Sequence, residues 1–447
     1  MPDCAHRTCT TALADRDPAS ALFYHLHTAE YLPDAPVIPL WVAAERDGRG
    51  ALRIAVHAPG EGASAAIPTA PHGLADFARQ FSAPVVDLSR PLVLVPVEIA
   101  KPWGREIWFT GIEARGQSGV LGEGGVLPLP WLLSIAGREM LGDPADSLQL
   151  LKILDPFPDP LYGDLYFELH DEKQEVYVVT NVDERVWPQG RGAIRYGFDP
   201  VVRAEYADDE GFRAAYLASV QRYERIRRQF EVVESGWRRD EGWGSTDPVP
   251  AATLRRWRAA HPPALRRAEV EARQAMERFT YLRTLAVGDV IQVPTRLPHA
   301  LQHGVRTIEF QTPVYERSIL SFAQKVLTQD HWDTRAAVAR MRLTPPPDRE
   351  AEAVAEGPGV IRERIVEFDD FLVDRWTLGA GVAASLDMQG GHGLVMTICG
   401  TLRVGPELLA PERALLIPAM APRVDIHNPG ARDALLLVSR PRCGARK

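Results

Sequence analysis

The chain has 447 residues, too many for a single hydrophobic core, so more than one domain is expected. Hydrophobic residues make up 45% and charged residues 25%, the balance of an ordinary soluble globular protein. A formal net charge of −8 argues against nucleic acid or an anionic membrane as the main partner, while a locally basic site for a phosphorylated ligand remains compatible with it.

Residues 1 to 90 read as an accessory region. The pair Cys4 and Cys9 cannot close a structural zinc site alone and reads as part of a mobile tail. With Cys399 and Cys443 far away, no disulfide framework is formed. The polar N-terminus, with Asp3, His6, Arg7, Asp15 and Asp17, carries no signal-peptide pattern. No run reaches the roughly 20 apolar residues that span a bilayer, so the cytoplasm is the expected compartment. Val37 to Ala43 and Ala51 to Val56 predict two strands around the hairpin signal Asp47-Gly-Arg-Gly50.

From 91 to about 202 short β-type runs follow one another: Leu92–Val97, Glu106–Thr110, Leu165–Leu169 and Val176–Thr180. Turn residues separate them, which predicts a sandwich or barrel. Residues 203 to 285 change period. Phe212, Tyr216, Val220, Tyr223, Phe230 and Val233 predict one helix face, and Leu265, Ala268, Ala272, Ala275, Phe279 and Leu282 a second. Asp247-Pro-Val-Pro250 marks a break between them and Thr253 a candidate N-cap. The arginine pairs here alternate with glutamates and read as a solvated face rather than a nucleic-acid surface. Residues 286 to 344 return to β patterning, Pro345-Pro-Pro347 opens a linker, and 360 to 440 form a further β-rich unit. Val290 to His299 lines up with Ala414 to Arg423: both carry Pro, three residues, Pro, then a polar residue. The second copy keeps the turn and replaces the histidine with arginine, which predicts two related barrels, the second without metal.

The chemistry concentrates in Glu168-Leu-His-Asp-Glu-Lys-Gln-Glu175. On an extended strand Tyr166, Glu168 and His170 share one face. Glu175 can turn back to the same pocket, and His299 follows Gly288-Asp289 and Pro294. Any one of these alone is commonly an ordinary surface residue; their joint spacing points to a metal. Two imidazoles and two carboxylates suit one divalent ion, zinc first, with iron, nickel or manganese also compatible.

The order of these residues resembles the two motifs of the cupins: His-x-His with a later glutamate, then Gly-Asp, Pro and His. Within the cupins it is similar to the type I phosphomannose isomerases. Four segments carry the resemblance: Lys101-Pro-Trp-Gly-Arg-Glu106, Leu150-Leu-Lys-Ile-Leu-Asp155, Glu168-x-His170 with Lys173-x-Glu175, and Val287-Gly-Asp-Val-Ile-Gln-Val-Pro294 with Pro298-His-Ala300. The resemblance implies a mainly β cupin fold with a helical insert. It implies a central metal-binding jelly-roll barrel over 91–202 and 286–344, and a degenerate C-terminal barrel after the linker, within 345–447. It implies a metal held by Glu168, His170, Glu175 and His299, catalytic roles for Arg317, Lys173 and Glu309, and phosphate contacts for Lys101 and Arg105. The expected partner is a small sugar or sugar phosphate, and the expected activity aldose–ketose isomerisation. This sequence departs from the family in the site itself. Glutamate stands at 168 in place of glutamine, the segments 170–175 and 309–317 are short, and Glu316 adjoins Arg317 as a competing partner. Another metal-dependent cupin enzyme, such as an oxygenase, and a non-catalytic sugar-binding cupin are the alternatives.

Overall fold

Runs such as Glu175–Val182, rich in β-branched and aromatic residues, suit a pleated surface buried on both faces. In the computed structural model such runs build two compact units. Residues 21–27, 37–60, 71–142, 148–347 and 351–442 are described; Cys4, Cys9 and Cys443 lie outside them. One unit comprises Ile99–Ile107 and Ile153–Asp348. The other comprises Met1–Glu98, Trp108–Lys152 and Arg349–Lys447.

The first unit is organised by two antiparallel sheets. One runs, in spatial order, Val290–Val293, Glu175–Val182, Val305–Gln311, Leu150–Pro156, Gly104–Trp108 and Val97–Lys101. The other runs Thr280–Leu285, Gly192–Phe198, His299–Leu301, Phe167–Leu169 and Ser318–Ser321. Their apolar faces share one core that includes Leu169, Tyr177, Val179, Ile194, Ile291 and Ile319. Arg296, in the left-handed conformation at φ 64°, turns the chain between Val290–Val293 and His299–Leu301. Its amide donates to the His170 carbonyl and ties that turn to the end of the neighbouring strand.

Between Gly192–Phe198 and Thr280–Leu285 the chain leaves the sheet as helices Asp209–Asp240, Ala251–Ala260 and Pro263–Glu277. The Asp208 carboxylate accepts from the Gly211 amide at 2.8 Å and caps the long helix. Phe212, Tyr216, Val220, Tyr223 and Phe230 are buried along it as the period predicts. Val233 is exposed, because Arg227, Glu231 and Arg238 take the buried line at that end. Those arginines are not a solvated face: Arg238 donates to the Gly244 and Asp247 carbonyls, and Arg227 lies 3.6 Å from Glu234. Leu282 lies on the strand Thr280–Leu285 and is exposed, Ala275 is exposed too, and the buried line of Pro263–Glu277 runs through Glu269, Ala272 and Met276. Ala251–Ala260 starts from Pro250, with Thr253 already inside the helix. Edge-to-face contacts of Phe198 with Phe212 and Tyr216 pack the long helix on the barrel.

The second unit holds the strand pair Val37–Arg46 and Leu52–His57, joined by the Asp47 turn, in which the Asp47 carboxylate accepts from the Arg49 and Ala51 amides. It also holds a nine-stranded sheet and a four-stranded sheet. A core of Leu386, Val395, Leu402, Val404, Leu415, Ile426, Leu436 and Val438 joins those two. The repeat seen in the sequence falls on matching elements: Ala414–Ile417 and Arg423–His427 correspond to Val290–Val293 and His299–Leu301.

Candidate metal centre

Strand register brings the site together. Glu168 stands opposite His299 in one sheet, and Tyr177 stands opposite Glu309 in the other. His170 follows directly on the strand Phe167–Leu169, and Glu175 begins the strand Glu175–Val182. His170, Glu175 and His299 are all buried, and one ligand atom from each lies within 4.8 Å of the other two. His170 Nε2 is 3.4 Å from Glu175 Oε1, and His299 Nε2 is 3.0 Å from Glu175 Oε2. Glu168 is outside this tight set, with Oε1 3.9 Å from His170 Nε2.

The ring orientations are set by the backbone. His170 Nδ1 is 3.0 Å from the Glu316 carbonyl, and His299 Nδ1 is 3.0 Å from the Leu297 carbonyl. A carbonyl only accepts, so each Nδ1 carries its proton, and in the neutral ring that a metal ligand requires Nε2 presents a lone pair. These lone pairs face the Glu175 carboxylate, acceptor against acceptor, and buried His170 Nε2 has no hydrogen-bond partner among the described residues. A divalent cation among three such donors relieves that arrangement, and backbone partners on the far ring nitrogens are what metal-bound histidines use. Burial first, and the Lys173 ammonium second, hold the His170 pKa well below its ordinary value, so the ring is neutral as a ligand must be. Burial opposes ionisation of Glu175, but neighbouring positive charge, the Lys173 ammonium foremost, keeps its pKa well below the carboxylate range. The donor set therefore fits a transition metal ion.

The remaining predicted residues divide. Lys173 is buried, with Nζ 3.0 Å from Glu175 Oε1. Arg317 lies over the Tyr166 ring at 4.8 Å, donates to Thr328 Oγ1 at 2.6 Å, and places Nη1 3.9 Å from Glu168 Oε2. Glu316 is not its partner: the Glu316 carboxylate accepts from the Glu172 and Lys173 amides and braces the short loop between His170 and Glu175. Glu309 is 1% exposed and shares the Tyr177 face. Lys101 pairs with buried Glu106 at 3.2 Å, and the Glu106 charge acts on both Tyr166 and Arg317. Arg105 alternates to the opposite face of its strand, where it and Arg306 both bind Asp155 at 2.8 Å.

Tyr177 is the residue that sequence reasoning missed. Its hydroxyl donates to Glu175 Oε2 at 2.7 Å. Burial, with the charges of Glu175 and Glu309, raises its pKa well above the ordinary value and keeps it a donor. The signal was present: two residues beyond Glu175 on a strand is the same face.

Comparison with known proteins bears on the fold. No family model matches the sequence, and no curated protein matches it. Solved structures do. The mannose 6-phosphate isomerase of Bacillus subtilis is similar with a TM-score of 0.52 and 16% identity, over 78% of this chain and 99% of its own. The apo mannose 6-phosphate isomerase of Salmonella typhimurium gives 0.53 and 13%, over 79% and 99%. A zinc-bound mannose 6-phosphate isomerase gives 0.51 and 14%, over 79% and 100%. The chain has the cupin fold, mainly β with a helical insert. Among the described residues no helix is long and apolar enough to cross a membrane.

Proposed function

We propose that this protein is a metal-dependent aldose–ketose isomerase acting on a phosphorylated sugar, a divergent relative of the type I phosphomannose isomerases. The observation that carries the reading is the buried triad His170, Glu175 and His299, with Lys173 on its carboxylate and Arg317 near the adjoining Glu168. The proposed ion is zinc, held by the triad with Glu168 as a fourth donor. Bound there, it supplies Lewis acidity to the sugar oxygens.

The side chains supply the rest. Moving a proton between C1 and C2 passes through an enediolate, whose negative charge is absent from the ground-state sugar. Arg317, held over Tyr166 and by Thr328, is a fixed cation for that charge and needs no reorganisation when it develops. Lys173 keeps Glu175 ionised. Glu309, on the inward face with Tyr177, is the proposed proton carrier, and Lys101 is the proposed phosphate contact. Arg105, engaged by Asp155 on the other face, is the weaker of the two phosphate candidates.

One observation favours a second reading. Glu168 already compensates part of the Arg317 charge, which suits a barrel that binds a sugar without turning it over. Incubating the zinc-loaded protein with hexose and pentose 6-phosphates or 5-phosphates in deuterated water separates the two. Deuterium at C1 or C2 with interconversion of aldose and ketose is the expected result. Saturable binding with no exchange on any sugar phosphate supports the binding protein and rejects the isomerase.

A further inference from the structure

The core-facing side of the nine-stranded sheet ends in a cluster of arginines that the isomerase reading does not use. Arg362 stands opposite Trp376 and Arg364 opposite Asp374 across the strands Val360–Glu367 and Phe371–Leu378. Arg440 follows Leu436 and Val438 at every second residue of Ala434–Pro441, and both of those line the core. All three guanidinium groups therefore converge at one end of that apolar interior, on a single aspartate that is 1% exposed. Arg362 donates Nε and Nη2 to Asp374 Oδ2 at 3.0 and 2.7 Å, Arg364 donates Nε to Oδ1, and Arg440 Nη2 reaches Oδ2 at 3.3 Å.

Glu367 adds one carboxylate at the rim, shared by Arg364 at 2.9 Å and Arg442 at 3.2 Å. Four arginines thus share two paired carboxylates, with the Asp387 charge also acting on Arg440. Donors are left over. Nη1 of Arg362, Nη2 of Arg364 and Nε of Arg440 make no hydrogen bond among the described residues. Arg362 lies over the Trp376 ring at 5.3 Å, and the buried Trp376 indole N–H also lacks an acceptor among the described residues. Burial lowers the Arg440 pKa, with Asp374 opposing and Arg362 and Arg364 adding to the shift. Three guanidinium groups on one carboxylate leave several N–H donors for a further oxyanion.

We propose that Arg362, Arg364 and Arg440 form a phosphoryl-anion site in the unit that does not hold the metal triad. Guanidinium forks match tetrahedral oxyanions with paired N–H groups. The site binds either free phosphate or a phosphate monoester, and it is independent of the reaction proposed for the metal centre.

The test uses the full chain. Amide hydrogen exchange is followed with and without inorganic phosphate at ionic strength matched by chloride. Phosphate is expected to slow exchange in Val360–Glu367 and Ala434–Pro441, and titration to give a dissociation constant that rises at least 10-fold in Arg440→Gln or Arg362→Gln. His299→Ala is expected to retain the protection. Repeating the titration with glucose 6-phosphate assigns the source: the tighter of the two constants identifies ester or free ion. Absence of protection in those two strands overturns the proposal without recourse to any variant. So does a folded Arg440→Gln protein that binds phosphate as the parent does.

Discussion

Glu168→Gln separates charge from shape at the proposed site. The carboxylate lies 3.9 Å from Arg317 Nη1 and 3.9 Å from His170 Nε2. At an effective dielectric constant near 20, a pair of unit charges at that separation interacts by about 4 kcal/mol before desolvation. Glu168 is 19% exposed and Arg317 17%, so water and the cost of burial leave a net coupling of about 1–2 kcal/mol. An enediolate beside Arg317 competes with Glu168 for the same cation. Removing the competing charge frees that coupling in the transition state. The expected result is a rise in kcat of about 5- to 30-fold on the sugar phosphate that the exchange screen identifies, measured at saturating zinc. Zinc affinity is expected to fall, since a negative donor becomes a neutral one. The double variant Glu168→Gln, Arg317→Met should show no gain over Arg317→Met alone. A Glu168→Gln protein that is folded, fully metallated and no faster than the parent refutes the reasoning.

Three further outcomes follow from the same geometry. His170→Ala or His299→Ala should lose bound metal after dialysis against a chelator that the parent withstands, as read by elemental analysis; full occupancy in either contradicts the triad. Arg317→Met and Lys173→Met should each lower kcat by about 100- to 1,000-fold, with metal content and melting temperature checked first, because a fixed cation acts mainly on charge that develops in the transition state. His392 is fully buried, with Nδ1 bonded to the Leu141 carbonyl, and burial pushes its pKa down to about 4. The unfolded chain then binds the proton first. The contribution to stability is complete above about pH 6.5 and is lost as the pH falls towards 4, by about 3 kcal/mol in all. Melting curves of His392→Gln should show a flatter decline across that interval, and an unchanged decline removes His392 as its source.

What was legible in the sequence is what local pattern controls. The strand around Glu168 and His170, the spacing to Glu175 and the turn before His299 all rest on period-two alternation and proline chemistry, and the structure brings His170, Glu175 and His299 within reach of one ion. The long helix was legible as far as Phe230, where apolar residues mark the buried line. Towards its C-terminal end the line also takes in Arg227, Glu231 and Arg238, whose burial depends on partners such as Glu234 and the Gly244 carbonyl. Charged residues buried by tertiary pairing carry no periodic signature. The same limit hid the true environment of Arg317: Glu316 is its sequence neighbour, but Tyr166, Glu168 and Thr328 come to it from other segments. Arg105 and Glu106 are adjacent in sequence and face opposite ways, so a basic residue near a motif says little until its strand face is known.

The charge balance of the interior argues for an anionic ligand more strongly than any single contact. Glu106, Glu168, Glu175 and Glu309 are matched by Lys101, Lys152, Lys173 and Arg317, four carboxylates to four cations, for a sum of zero. A divalent ion on the triad raises that sum to +2. The carboxylates closest to the triad are engaged: Glu175 by Lys173 and Tyr177, Glu168 by Arg317. A neutral sugar would leave that positive charge in a largely buried site, where each uncompensated unit is costly. A phosphate monoester brings compensating charge with it. Glutamine at 168 would raise the interior sum by one further unit, so the glutamate tempers the demand for an anion while it holds Arg317. Ligand charge and the residue at 168 are thereby coupled: preference for sugar phosphate over free sugar should be steeper with glutamine there than with glutamate.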